Sequence, residues 1–265
     1  MIDKDFLFLA GHHRSGTSLM HEIIRGHPKV SGFSNTGVPE DEGQHLQDVY
    51  APALAFGGAG KYIFDQNSYM NEHHVLATAH NAKTLYQQWE KFYNSDCHYY
   101  IEKSPPNLIR TRFLQTLFPN SKFVIILRHP LAVAYATQKW SKTSIKSLVE
   151  HTLRGYEIFF NDLNHLNEVY VLRYEEFIEQ PQVELDKIFK FLELEAIPIQ
   201  HEVRKNINDK YFAMWEANRS SIIKKMQFPV TRAIEKRANL FGYSIKEFRK
   251  LLPSEILGTH KRQVG

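Results

Sequence analysis

The residues whose types and spacing can do chemistry lie close to the start of the chain, in Gly11-His12-His13-Arg14-Ser15-Gly16-Thr17-Ser18. An apolar run from Phe6 to Leu9 precedes them and an amphipathic run through Leu19, Ile23 and Ile24 follows, so the order is strand, glycine loop, helix. A loop of this kind aims backbone N–H groups past a helix start, where unpaired donors and the positive end of the dipole favour an anion. Phosphate is the predicted guest. The spacing Gly11-x-x-x-x-Gly16 is that of a P-loop, but a nucleoside-triphosphate loop continues with Lys and Ser/Thr, and here Thr17-Ser18 follow directly. The cation is instead Arg14, inside the loop, a planar fork able to grip two oxygens of a phosphate or sulfate.

A triphosphate-magnesium site also wants an Asp at the end of a neighbouring strand. The best candidate strand, Phe123 to Leu127, ends in Arg128, which repels a metal and attracts another anion. Two arginine-terminated anion sites on neighbouring strands predict a ligand with two separated phosphate-like groups and no metal.

These segments resemble those of the sulfotransferases that use 3′-phosphoadenosine 5′-phosphosulfate (PAPS). GHHRSGTSL is similar to the family's 5′-phosphosulfate loop, FVIILRHPLAVAYA to its 3′-phosphate motif, IEKSPPN to its EKSP or EKTP segment, and VLRYEEFIEQP to its YEDL-x-x-x-P segment. The four come in family order across roughly residues 6 to 190. The RSGT loop is closer to the carbohydrate and tyrosyl-protein branches than to the cytosolic small-molecule branch. The resemblance implies PAPS as donor and 3′-phosphoadenosine 5′-phosphate (PAP) as product. It implies that Arg14, Ser15, Gly16, Thr17 and Ser18 hold the 5′ end, that Arg128 holds the 3′-phosphate, and that Tyr174 lies near the adenine. Lys103 becomes a second cation on the sulfuryl group. Where the family has a serine eight residues after Arg128, this chain has Ala136; either Thr137 substitutes or the site relies on Arg128 and backbone donors. Gln138, Lys139 and Trp140 follow within reach of nucleotide or acceptor.

A base is also needed to take the acceptor's proton. Glu40, Asp41 and Glu42 lie in one cluster, and some of them must point away, since all three facing the loop would repel the anion. Glutamate bases of the carbohydrate and tyrosyl-protein branches fall twenty to thirty residues past the loop cation, a window that holds Glu40 and Glu42. His45 lies a turn away and can tune or replace them. His74, sixty residues past Arg14, is the counterpart of the small-molecule branch's histidine base, although Pro105 stands where that branch's KTH segment has its histidine. The glutamates rank first. His73, His74 and His80 match no familiar zinc spacing, so no metal site is assigned.

The elements that must position these residues follow from periodicity. Strands are predicted at Val30–Phe33, Tyr99–Lys103, Phe123–Leu127 and Val169–Leu172, and helices over 71–94, 107–118, 144–166 and 181–194, with Arg110 and Arg112 on the outer side of the second. Gly57-Gly58-Ala59-Gly60 reads as a mobile loop able to cover an acceptor pocket. The expected fold is a doubly wound α/β, P-loop-type, three-layer domain over 1–265, with a central parallel sheet of about five strands flanked by helices.

With 265 residues, 43% of them hydrophobic, the chain is long enough for one large core. Its single cysteine, Cys97, excludes an intrachain disulfide. No basic leader or eighteen-residue apolar run is present, so a cytoplasmic protein without membrane insertion is expected. The net charge is +4, and from Gln200 onward 14 Lys/Arg face 6 Asp/Glu, scattered among aromatics without a run longer than two, so no nucleic-acid partner is assigned. Near Phe241-Gly242-Tyr243, Arg232, Lys236 and Arg237 resemble the family's C-terminal basic contact to the nucleotide. The partners expected are the donor and a hydroxyl acceptor, a carbohydrate or glycoconjugate before a lipid, polyketide or tyrosyl group; the oligomeric state stays open. The competing readings are a P-loop kinase or NTPase and a non-catalytic nucleotide-binding protein.

Overall fold

The computed structural model describes residues 4–262; the outermost three residues at each end of the expected domain lie outside the described residues. Strands β1 (Asp5–Gly11), β2 (Val30–Gly32), β3 (Tyr99–Lys103), β4 (Lys122–Leu127), β5 (Glu168–Arg173) and β6 (Gly258–Lys261) form one sheet in the order β2-β3-β1-β4-β5-β6. The first five are mutually parallel, and β6 runs antiparallel along β5. The parallel strands are those the apolar runs predict. β6 is an addition, and its sequence GTHK has no apolar run to reveal it.

Both faces of the sheet are covered, which is why β1 reads as continuous apolar sequence rather than as an alternation. Phe6 and Phe8 point to one side, into a core with Trp89, Phe113 and Tyr156; Leu7 and Leu9 point to the other, with Met20, Ile24 and Phe189. The first side is closed by α2 (Ala79–Glu90), α3 (Thr111–Leu117), α4 (Pro130–Ser141) and α5 (Ile145–Leu163). The second is closed by α1 (Thr17–Arg25), α6 (Tyr174–Glu179) and α7 (Pro181–Phe191). This is a three-layer α/β fold, and α8 (Asp209–Ser220), α9 (Ile222–Gln227) and α10 (Arg232–Leu240) follow before β6.

Two predicted helices are shorter than expected. In the 71–94 segment only α2 forms, because Asn71 accepts from the His73 N–H and His74 from the Leu76 N–H, closing turns that compete with a helix until Thr78 caps α2. The 107–118 segment splits into a 3₁₀ turn, Pro105–Ile109, and α3, with the break at Arg110. Arg110 is accordingly buried rather than outward: it donates to the Ser68 and Ala51 carbonyls and lies over Tyr50. Arg112 is partly buried and pairs with Glu72 and Asp162. Gly60, in the expected cover loop, is packed down: a Cβ there would meet the Leu148 side chain at 2.4 Å.

Candidate active site

Register sets the stage. In the central strand β1, Leu9 lies opposite Lys103 of β3, and Gly11 lies opposite Ile126 of β4. The loop after β1 therefore emerges between the residue that ends β3 and the one that follows β4, at the carboxyl edge where open α/β sheets collect ligands.

The loop is held tightly. Ser15 N–H donates to the His12 carbonyl at 3.0 Å, Arg14 takes a left-handed φ of 69°, and Gly16 has φ 102°. Gly16 is required twice over: its φ suits glycine, and a Cβ there would lie 2.5 Å from the Tyr174 ring. Beyond it α1 starts without a side-chain cap, so its first N–H groups face outward. The Ser15 hydroxyl is buried and has no hydrogen-bond partner. Capless amides and an unspent hydroxyl at one helix start fit an oxyanion.

On the β3 side, Lys103 is only 1% exposed. Its ammonium donates to the Glu40 carbonyl at 2.7 Å and to the Ser18 hydroxyl at 3.4 Å, and lies 3.5 Å from Glu42 Oε1. Ser18 in turn donates to the exposed Glu40 carboxylate at 3.1 Å. Asp41 points away, accepting from Asn35 and Thr36 N–H. Glu42 is buried; Gln44 donates to its other oxygen, and His45 lies 3.9 Å from it. Burial raises the Glu42 carboxyl above its usual range, against the pull of Lys103. Burial likewise lowers His45.

Glu102, next to Lys103 but on the opposite face of β3, carries no signal in the sequence reading. It is fully buried and accepts from Ser104, Asn107 and Gly43 N–H, anchoring the Glu42 turn to the strand. Burial pushes its carboxyl to about 7. Gly43 has to be glycine, because a Cβ would lie 2.5 Å from Glu102 Cγ.

On the β4 side, Arg128 is 5% exposed. Nε and Nη2 donate to Asn208 Oδ1 at 3.0 and 2.7 Å, Nη1 donates to the Arg14 carbonyl, and the guanidinium lies 4.2 Å from the Tyr174 ring centroid. Arg128 thus reaches the loop it was expected to complement and fastens it. Tyr174 is sandwiched between Gly16 and Arg128 rather than presenting a free face. Asn208 is a residue that sequence reasoning missed; it lies 80 positions from Arg128 outside any motif.

The remaining predicted residues lie behind the loop or away from it. Thr137 is buried with an unpartnered hydroxyl and lines a small internal cavity with His12, His13 and His151. His74 accepts from Leu76 N–H and meets the Phe113 ring, and it is not gathered into the Lys103 cluster. Arg237 pairs with Glu150 and Glu157. Among the described residues no group of three or more His, Cys, Asp or Glu is arranged to hold a metal ion, and no helix is long and apolar enough to cross a membrane.

A capless helix start after a glycine loop, with Lys103 and Arg128 on the flanking strands, defines a P-loop-like α/β protein. The sulfotransferase family profile matches residues 7–198, and the chain belongs to that family. Protein-tyrosine sulfotransferase 2 of Gallus gallus is 24% identical over 201 residues, covering 72% of this chain and 51% of the relative. The chain therefore spans about half the length of that relative. Solved structures share the fold. A sulfotransferase from Mycobacterium avium superposes with TM-score 0.57 at 11% identity, over 96% of this chain and 79% of that one. The sulfotransferase domain of the curacin biosynthetic pathway does so with TM-score 0.55 at 15% identity, over 91% and 98%. That of the Synechococcus PCC 7002 olefin synthase gives 0.54 at 17%, over 91% and 96%.

Proposed function

We propose that this protein transfers a sulfuryl group from PAPS to a hydroxyl acceptor, a carbohydrate or glycoconjugate before other classes. The observation that carries the reading is the buried Lys103 ammonium, which meets the Ser18 hydroxyl at the start of α1 and the Glu42 carboxylate on its other side. A cation, open helix amides and a base converge there.

The donor supplies an activated sulfur–oxygen bond. Glu42 takes the acceptor proton as the acceptor oxygen bonds to sulfur, and the bond from sulfur to the 5′-phosphate oxygen breaks. Lys103, Arg14 and the α1 amides stabilise the charge that collects on the sulfuryl and departing phosphate oxygens; preorganised donors of this kind need no rearrangement at the moment of reaction. Ser15, Thr17 and Ser18 hold the 5′ end. Arg128 serves the 3′ end chiefly by fixing the loop, because its donors already engage Asn208 and the Arg14 carbonyl.

The first test is thermal protection by PAP beside ATP-Mg, since a ligand that binds the native state raises the melting temperature. Protection by PAP alone is expected; protection by ATP-Mg alone would establish the kinase reading. Transfer from labelled PAPS is then measured to sugar, lipid, polyketide and tyrosyl-peptide hydroxyls, the last included because of the relative's name. Label in the sugar arm supports the acceptor class. Label in another arm reassigns it, and none in any arm with PAP still bound favours a non-catalytic protein. Arg14→Ala is expected to remove transfer while leaving the fold intact.

A further inference from the structure

Arg14 and Arg128 each lie over an aromatic ring, but they differ in what their N–H donors do. Arg128 spends its edge, with Nε, Nη1 and Nη2 all donating to oxygen. Arg14 makes its contact over a ring: its guanidinium carbon lies 4.7 Å from the centroid of the Trp140 ring, and no carboxylate pairs with it among the described residues. A guanidinium stacked through its face keeps its in-plane N–H donors available, and these are the donors that fork onto a phosphate or sulfate.

The sequence explains how the indole arrives there. Val133, Ala134 and Thr137 of α4 line the cavity behind the loop with His12 and His13. Trp140 comes three residues after Thr137, a spacing that repeats along one helical face, so the face that backs the loop continues over its outer side. At 50% exposure Trp140 has no core to fill, and its stacking partners are the cations of Arg14 and Lys139. Arg14 is thus gripped at two points, its carbonyl by Arg128 and its guanidinium by Trp140.

We infer that Trp140 is a positioning residue for Arg14, holding the plane of its guanidinium while leaving the fork open for the donor's 5′ end. The inference rests on the proposed function for the identity of the ligand, but the stacking itself is tested without any ligand. Trp89 and Trp215 are buried, so emission lost in Trp140→Phe isolates the exposed indole. Arg14→Ala is expected to raise acrylamide quenching of that emission by uncovering one face of the ring. An unchanged quenching constant would overturn the inference whatever PAP does.

The second arm is a double-mutant cycle read by PAP affinity. A cation–π contact at an exposed site is worth roughly a two- to fivefold change in binding, so Trp140→Ala should weaken PAP by about that factor in the wild type and not at all in Arg14→Ala. Trp140→Phe should recover part of the loss, and melting temperatures should move little. Equal weakening in both backgrounds would mean the indole touches the ligand itself, and overturns the inference. Absence of PAP binding in the wild type sinks the donor assignment instead, leaving the quenching result to decide the role of Trp140.

Discussion

The guanidinium of Arg128 donates to the main-chain carbonyl of Arg14, tying the end of β4 to the loop that follows β1. Tyr174 fills the space beneath both, packed against Gly16 on one side and Arg128 on the other. The loop proposed to present amides to an anion is thereby held in place by a cation and a ring that directly follow β4 and β5. A site preorganised in this way spends no binding energy on ordering its own backbone.

Arg128→Ala follows directly. The change leaves Asn208 Oδ1 and the Arg14 carbonyl without their charged donor, and groups buried in that state cost more than the hydrogen bond itself is worth. Unfolding free energy should drop by about 2–4 kcal/mol, and PAP affinity should fall with it. Chemical denaturation and a PAP titration check the two together. Unchanged stability would mean that the arginine does not fasten the loop.

Glu42 and Glu40 are separated by their surroundings. Glu42 is buried against Lys103, whereas Glu40 is exposed on the Ser18 hydroxyl. Glu42→Gln should lower kcat by roughly 10²–10⁴, the usual range for a general base, while Glu40→Gln should cost no more than a few-fold. The base acts as carboxylate, so the rate should decline as pH falls through its pKa, which burial holds above 4.5. That acid limb should vanish in Glu42→Gln. A limb that survives there and vanishes in Glu40→Gln would transfer the role.

The parts of the site made of local pattern were legible in the sequence, and the parts made by distant contacts were not. Strand, glycine loop and helix follow from residues 6 to 24, and Lys103 and Arg128 follow from strand ends, because each reading needs only neighbours. Which of three adjacent acids faces inward does not, since Asp41 is turned away by the Asn35 and Thr36 amides and Glu42 is turned in by Gln44. Asn208 was invisible because its partner is 80 residues away. Glu102 was overlooked for another reason: nothing in a five-residue strand marks an acid beside Lys103 as buried, yet both faces of β3 are buried. The 71–94 helix failed because Asn71 and His74 offer the backbone local acceptors, which apolar periodicity does not register.

Stability should depend on pH through buried groups of opposite sign, lowered histidines of which His12 is one, and the raised carboxyl of Glu102. Burial lowers His12 from 6.5 to about 4, against a hydrogen bond to the Thr152 carbonyl. Between those values the unfolded chain holds a proton there that the folded chain does not, so this contribution is complete above pH 6.5 and shrinks as pH falls towards 4. Glu102 behaves in reverse. Its carboxyl moves from 4.5 to about 7, so the folded chain keeps a proton the unfolded chain releases; the contribution is complete below pH 4.5 and is lost as pH rises through 7. Glu102→Gln, neutral throughout, should be more stable than wild type above pH 7 and should show a steeper acid decline between pH 6.5 and 4.5, with His12 no longer offset. Melting temperatures across that range decide it, and parallel curves would deny Glu102 its shifted carboxyl.

Gly16→Ala tests whether the loop's shape, apart from any charge, sets the anion site. A left-handed φ of 102° is strained for any side chain, and the new methyl would lie 2.5 Å from Tyr174 Cδ2. The backbone term alone is roughly 1–2 kcal/mol. The ring cannot give way cheaply, since the Arg128 guanidinium lies 4.2 Å from its centroid. The variant should therefore lose stability beyond the backbone term and bind PAP weakly, although every charged residue of the site is intact. Pairing it with Tyr174→Ala separates the two causes. If steric pressure from the ring is the larger one, Gly16→Ala should cost less stability in the Tyr174→Ala background than it costs in the wild type. Equal costs in the two backgrounds would assign the whole effect to backbone conformation and remove Tyr174 from the account of the loop.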